Sequence, residues 1–254
     1  MHPARSTALA RLRARRHLKH ARPGELLWLF DLDNTLHDCS KGIFRAIDGA
    51  MAQAVASTLQ LPMDQANKVR KDYWRRYGAT VIGMVRHHGV NPHRFLAMSH
   101  DFNVPELVHA ETGLFQSLNR LPGRKVLLTN APLDYARQVL ETLKIQHLFE
   151  GVWAIDHMHL QGTMKPKPSL ALMRQIRAQL GMPAGQIILV EDTLRNLKAA
   201  RHAGMRTVHM YHPATPFSAA HKGRNLYVNL RVNSVRELAA RAHAMNTRGT
   251  AGRA

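Results

Sequence analysis

Leu26-Leu27-Trp28-Leu29-Phe30-Asp31-Leu32-Asp33-Asn34-Thr35-Leu36 decides the fold. Its first five residues are a short unbroken apolar run, as expected of a strand buried on both faces, and the run stops abruptly in a polar turn. Residues i and i+2 share one side of an extended chain, so Asp31 and Asp33 converge on one small volume just past the strand end. Two such carboxylates repel unless a proton or cation lies between them. A hard dication with oxygen ligands removes that cost and keeps positions open for phosphate oxygens. The plain alternative is a pair of turn acids capping the next helix.

Outward from this stretch, three more apolar runs follow at Lys125–Leu128, Gln186–Val190 and Arg206–Met210. Helical periodicity fills Leu133–Leu143, Ser169–Leu180 and Leu194–Ala203, and Val152–Ile155 reads as a further strand. That alternation predicts an α/β fold, a doubly wound parallel sheet with its sites at the carboxyl ends of the strands. About ninety residues separate the first strand from the next, far more than a strand-to-helix connection needs. Helical patterns over Ile43–Leu59, Met63–Tyr77, Val81–His88 and Pro92–His100, broken at Pro62, Gly78, Gly89 and Pro92, fill that gap. The expected organisation is a basic, disordered arm over 1–24, a core of 25–40 and 116–235, an inserted helical cap over 41–115, and a flexible tail over 245–254.

The charge of +19 is spread unevenly. Arg5, Arg11, Arg13, Arg15, Arg16, Lys19 and Arg22 fall in the first 24 residues with no acid among them, leaving the remainder basic as well. Such a surface concentrates anions, phosphate esters and nucleic acid alike. The single cysteine, Cys39, excludes an internal disulfide and fits a reducing compartment. With no long apolar segment, a cytoplasmic location is expected. The scattered histidines, including His87-His88, His100, His109, His157 and His159, lack the carboxylate or cysteine spacing of a metal site.

With its apolar strand, Asp31-Leu32-Asp33-Asn34-Thr35-Leu36 resembles motif I of the haloacid dehalogenase superfamily. Leu127-Leu128-Thr129-Asn130, Met164-Lys165-Pro166-Lys167-Pro168 and Val190-Glu191-Asp192-Thr193 resemble motifs II, III and IV, in the expected order. The resemblance implies a Rossmann-like core and a Mg²⁺-dependent phosphomonoesterase. Asp31 would be the nucleophile, Asp33 the general acid and base, and Thr129 with Lys165 the stabilisers of the phosphoryl charge. Asp31, the backbone carbonyl of Asp33, and Asp192 would hold Mg²⁺. Glu191 would position Asp192 or a metal-bound water, and Asn196 stands where many relatives carry another acid. Asn130 falls in the phosphoryl-binding segment.

Several further phrases are similar to the pyrimidine 5′-nucleotidase family: Tyr73-Trp74-Arg75-Arg76-Tyr77-Gly78-Ala79-Thr80, Ser99-His100-Asp101-Phe102, and the run from Val190 to Ala200. They imply release of phosphate from UMP- or CMP-like nucleoside monophosphates, with Tyr73, Tyr77 and Thr80 expected to bind the base. Two tyrosines four apart also describe a helix face packed inside the cap. A general small-metabolite phosphatase acting on sugar phosphates or phosphoglycolate is the alternative. A nucleic-acid-binding protein on a phosphatase-like core is a third reading, and no specific nucleic acid or membrane partner is expected.

Overall fold

The computed structural model describes residues 24–211, 226–243 and 245. The basic arm and the tail expected at the two ends lie outside them, apart from Gly24 and Met245. Strand β1 (Leu27–Phe30) leads through a polar turn and a single 3-10 turn into helices α1 (Ile43–Leu59), α2 (Met63–Tyr77), α3 (Thr80–His88), α4 (Pro92–Ser99), α5 (Val104–Leu107) and α6 (Leu114–Arg120). There follow β2 (Arg124–Leu128), α7 (Leu133–Thr142), β3 (Val152–Trp153), the short strands β4 (His159–Leu160) and β5 (Thr163–Met164), α8 (Leu170–Leu180), β6 (Ile187–Glu191), α9 (Leu194–His202), β7 (Arg206–Met210), β8 (Leu230–Val232) and α10 (Val235–Arg241).

Six strands form one sheet in the order β3-β2-β1-β6-β7-β8, every neighbouring pair parallel. β1 lies at its centre and is buried along its whole length, which is why its sequence is uniformly apolar instead of alternating. The order reverses at β1: the chain runs outward to β2 and β3 on one side and to β6, β7 and β8 on the other. That switch point places the carboxyl ends of β1, β2 and β6 around one crevice. Two apolar clusters cover the faces. Trp28, Phe30, Tyr135, Val139 and Leu238 lie on one, and Leu27, Leu29, Met173, Ile176 and Leu197 on the other.

Helices α1 to α4 gather around a third cluster, with Val55, Val81, Met84, Phe95 and Leu96 at its centre. α1 is rich in alanine, which costs little to order in a helix. Asn91 caps α4 by accepting the Arg94 N–H at 3.1 Å, with Pro92 in the first turn. Val104 and Leu114, although within the expected 41–115 insert, pack instead with the cluster on the sheet. None of the described helices is long and apolar enough to cross a membrane.

Candidate active site

β1 delivers Asp31 to the crevice, its backbone N–H donating to the Val190 carbonyl of β6 at 2.9 Å. The following turn needs one residue in the left-handed region. Asn34 fills it with φ 56°, a conformation asparagine tolerates better than most, and its Oδ1 accepts the Cys39 N–H at 3.1 Å. Glu191 ends β6 and Asp192 follows it. Asp31, Glu191 and Asp192 each offer an oxygen within 4.8 Å of the others. Thr129, past the end of β2, is 1% exposed and lines the same cavity of about 300 Å³ with Asp33 and Asn196.

The ammonium that joins this group belongs to Lys167, not to Lys165 as the motif placement predicted. Lys167 Nζ donates to Asp31 Oδ1 and to Glu191 Oε2, both at 2.7 Å, and the residue is 1% exposed. The reason is local. Asn130 Nδ2 donates to the Lys167 carbonyl and Asn130 Oδ1 accepts the Lys167 N–H, each at 2.9 Å, and this double grip fixes the loop so that Lys167 turns inward. Lys165, tied at its backbone to Met158, points its exposed side chain into a different cavity. Asn130, predicted to bind substrate, spends its side chain on that grip.

Burial and the crowding of acids explain the electrostatics. Burial, then the Glu191 charge, push the Asp31 carboxyl well above its ordinary value, with Lys167 pulling the other way. Burial and Asp31 raise Asp192 to about 6, and burial raises Glu191. Burial works against the Lys167 charge, yet the two carboxylates beside it hold its pKa above the usual lysine value. One ammonium among three carboxylates leaves uncompensated negative charge, and the donors are all hard oxygens. The set therefore fits a divalent cation such as Mg²⁺, with Asp31 and Asp192 as its side-chain ligands.

Asp33 stands apart in its surroundings. Tyr135 OH donates to its Oδ1 at 2.8 Å, His37 Nε2 lies at 3.1 Å and Cys39 Sγ at 3.4 Å. Burial works to raise its pKa, but these hydrogen bonds outweigh it and the carboxyl is lowered overall. The trio Asp33, His37 and Cys39 has the spacing of a soft-metal site. Burial, reinforced by the Asp33 charge, pushes the Cys39 thiol pKa up, and the hydrogen bonds of Tyr135, His37 and Cys39 all converge on the Asp33 carboxylate. Tyr135 escaped the sequence reading because nothing in the spacing of positions 33 and 135 ties them together.

The expected base-binding tyrosines also turn elsewhere. Tyr73 OH meets His88 Nε2 and Tyr77 OH meets His87 Nε2, both at 2.7 Å, on the flank where α2 packs against α3. Gly83 makes this approach feasible: a Cβ there would run into the Tyr73 ring. With Tyr73 and Tyr77 turned to this flank, Trp74, 45% exposed, is the α2 aromatic that lines the catalytic cavity beside Phe44, Ile47 and Met51. Thr80 does line the cavity, its hydroxyl donating to the Arg70 carbonyl at 3.1 Å. His100 lies on the same wall, and burial lowers its pKa below the ordinary imidazole value. Of the neighbouring pair His157 and His159, His159 lies on the β4–β5 hairpin. His157 Nδ1 instead accepts the Ala154 N–H.

The sequence profile of the haloacid dehalogenase-like hydrolases matches residues 28–210. A phosphoglycolate phosphatase of Pseudomonas savastanoi pv. phaseolicola is 27% identical over 198 residues, covering 72% of this chain and 68% of that protein. Among solved structures, a haloacid dehalogenase-type phosphatase of Thermococcus onnurineus aligns with TM-score 0.55 at 18% identity, covering 86% of this chain and 97% of that one. The hydrolase YfnB of Bacillus subtilis, solved with magnesium, aligns with TM-score 0.55 at 15% identity, covering 87% and 99%. At these identities the structural likenesses show the fold alone.

Proposed function

The chain belongs to the haloacid dehalogenase-like hydrolase family, and from that premise we propose that it is a Mg²⁺-dependent phosphomonoesterase working through an aspartyl-phosphate on Asp31. One observation carries this reading: Asp31, Glu191 and Asp192 converge around Lys167 at the strand ends, in a cavity that also holds Asp33 and Thr129. Bound Mg²⁺ would neutralise phosphoryl oxygens and suppress the repulsion between Asp31 and Asp192.

The chain's own residues account for the rest. An Asp31 carboxylate oxygen attacks phosphorus, and the bond from phosphorus to the leaving oxygen breaks. Lys167 favours the ionised form of Asp31, as a bound cation would too, and with the Thr129 hydroxyl stabilises negative charge on the phosphoryl group. Asp33 gives a proton to the leaving alkoxide, then takes one from the water that attacks phosphorus and frees Asp31. The hydrogen bonds from Tyr135 and His37 favour the ionised form of Asp33, which suits the second half. The incoming phosphate dianion raises the Asp33 pKa for the first. The test is Mg²⁺-dependent phosphate release together with trapping of a hydroxylamine-sensitive phosphoprotein. An Asp31→Asn variant that still turns over would remove the proposal.

Two leaving groups have separate support. The phosphoglycolate phosphatase relatives favour small-metabolite esters over pyrimidine nucleotides. A nucleoside monophosphate is favoured by the cavity wall of Phe44, Ile47, Met51 and Trp74. Lys167, the one Lys or Arg among the described lining residues, is already committed to Asp31 and Glu191, so a leaving group with its own carboxylate meets no uncommitted Lys or Arg among them. UMP and ribose 5-phosphate share the same leaving alkoxide, so the ratio of their kcat/KM isolates the base. A ratio well above one that collapses in Trp74→Ala supports the nucleotide, whereas preference for 2-phosphoglycolate supports the small metabolite.

A further inference from the structure

A second cavity, of about 920 Å³, opens on the other side of Gly78 from the catalytic one. Gly78 lines both, and a Cβ there would lie 3.8 Å from the Lys167 carbonyl oxygen. Arg76, Arg86, Lys165 and Arg195 all line this second cavity, brought together from α2, α3, the loop after β5 and α9. No aspartate or glutamate among the described residues lines it. Arg76 has an acid partner in Asp72, at 3.0 Å on its own helix. Arg86, Lys165 and Arg195 have no salt bridge among the described residues, and Arg86 sits 5.7 Å from the centre of the Tyr77 ring. Tyr77 is in turn fixed by its hydrogen bond to His87.

Four permanent cations from four separate segments facing one concave space repel each other, and among the described residues a carboxylate offsets that cost only at Arg76, through Asp72. Arginine guanidinium groups in such a position match phosphate oxygens in pairs. The volume exceeds what one phosphate group fills and falls in the range of small-ligand sites. We infer that this cavity is a second, non-catalytic oxyanion site for a ligand bearing linked phosphoryl groups, with Arg86, Lys165 and Arg195 as its principal contacts. Lys165 and Tyr77, which the catalytic cavity does not use, thereby acquire a setting of their own. The inference is independent of the catalytic reading, since it concerns binding and not turnover.

The probe is inorganic pyrophosphate, titrated calorimetrically into the full chain in EDTA, where the unneutralised carboxylates of the catalytic cavity repel anions. Saturable binding is expected, unchanged in Asp31→Asn and weakened at least about tenfold in the double variant Arg86→Gln/Arg195→Gln, a loss set by removing two charge-assisted contacts. The control double variant Lys198→Gln/Arg201→Gln removes exposed cations from the same helix region outside the cavity and is expected to bind as wild type does. No saturable binding, or equal loss in both double variants, would overturn the inference by reducing it to general attraction of a basic surface. With Mg²⁺ restored, the source of the phosphoryl groups can be separated. A raised KM for a doubly phosphorylated ester alone, in the Arg86/Arg195 variant, assigns them to the substrate. A pyrophosphate effect on turnover of a monophosphate, lost in that variant, assigns them to a separate ligand.

Discussion

The two cavities flanking Gly78 are built partly from the same loop, yet they treat its lysines oppositely. Lys167 is buried, held by Asn130 through its backbone and paired with two carboxylates. Lys165, two residues earlier, is exposed in a cavity lined with other cations. The first arrangement needs both partners, because removing either leaves a charge buried without compensation. The second needs none in the folded chain and is poised for an anion from outside. Identical side chains separated by one proline thus differ in cost, mobility and chemistry because of what surrounds them.

The comparison can be broken most decisively at the nucleophile. Asp31→Asn should cut turnover by at least about four orders of magnitude, since no other carboxylate stands in its place. Single-turnover phosphate release measures this, with circular dichroism confirming the fold. Next comes the contrast between the lysines: Lys167→Met should cost about a hundredfold or more in kcat, while Lys165→Met should leave kcat within about threefold. Equal losses in the two variants would erase the distinction.

A smaller effect should come from the network around Asp33. Tyr135→Phe removes one hydrogen bond to the carboxylate and should lower turnover about tenfold, with the basic form of Asp33 appearing at higher pH in the kcat profile. An unchanged profile would mean that Tyr135 does not act on Asp33.

The smallest expected effect is a pH-dependent stability difference. Asp192 has a folded-state pKa of about 6 against the ordinary 3.8, so the metal-free folded state holds this proton more tightly than the unfolded state does. The associated stability is present below pH 3.8 and is lost as pH rises through about 6. Asp192→Asn should therefore raise the Tm of the metal-free protein by a few degrees at pH 7.5 relative to wild type, gain less at pH 4, and weaken the rise in Tm that Mg²⁺ produces in wild type. Thermal melts with EDTA and with Mg²⁺ check all three.

Much of the molecule was legible in the order of its residues. The uniformly apolar runs ending at Asp31, Thr129 and Glu191 announce strands buried on both faces, and the helical periods between them dictate parallel pairing. The alternation of side chains along an extended chain already brings Asp31 and Asp33 together. Helix limits at Leu59, Tyr77 and His88 follow from Gly and Pro breaks, because those residues act on the backbone locally.

What tertiary structure alone decided is which of several chemically equivalent candidates faces the site. Lys165 and Lys167 both precede a proline, and only the grip of Asn130, 37 positions earlier in the chain than Lys167, turns one of them inward. Tyr73, Trp74 and Tyr77 share one helix, and the packing of α2 against Gly83 selects which aromatic reaches the cavity. Tyr135 reaches Asp33 across 102 residues of sequence. Strand and helix signals arise from neighbours along the chain, whereas the direction of a side chain on a loop or helix is set by non-local contacts that the linear order does not contain.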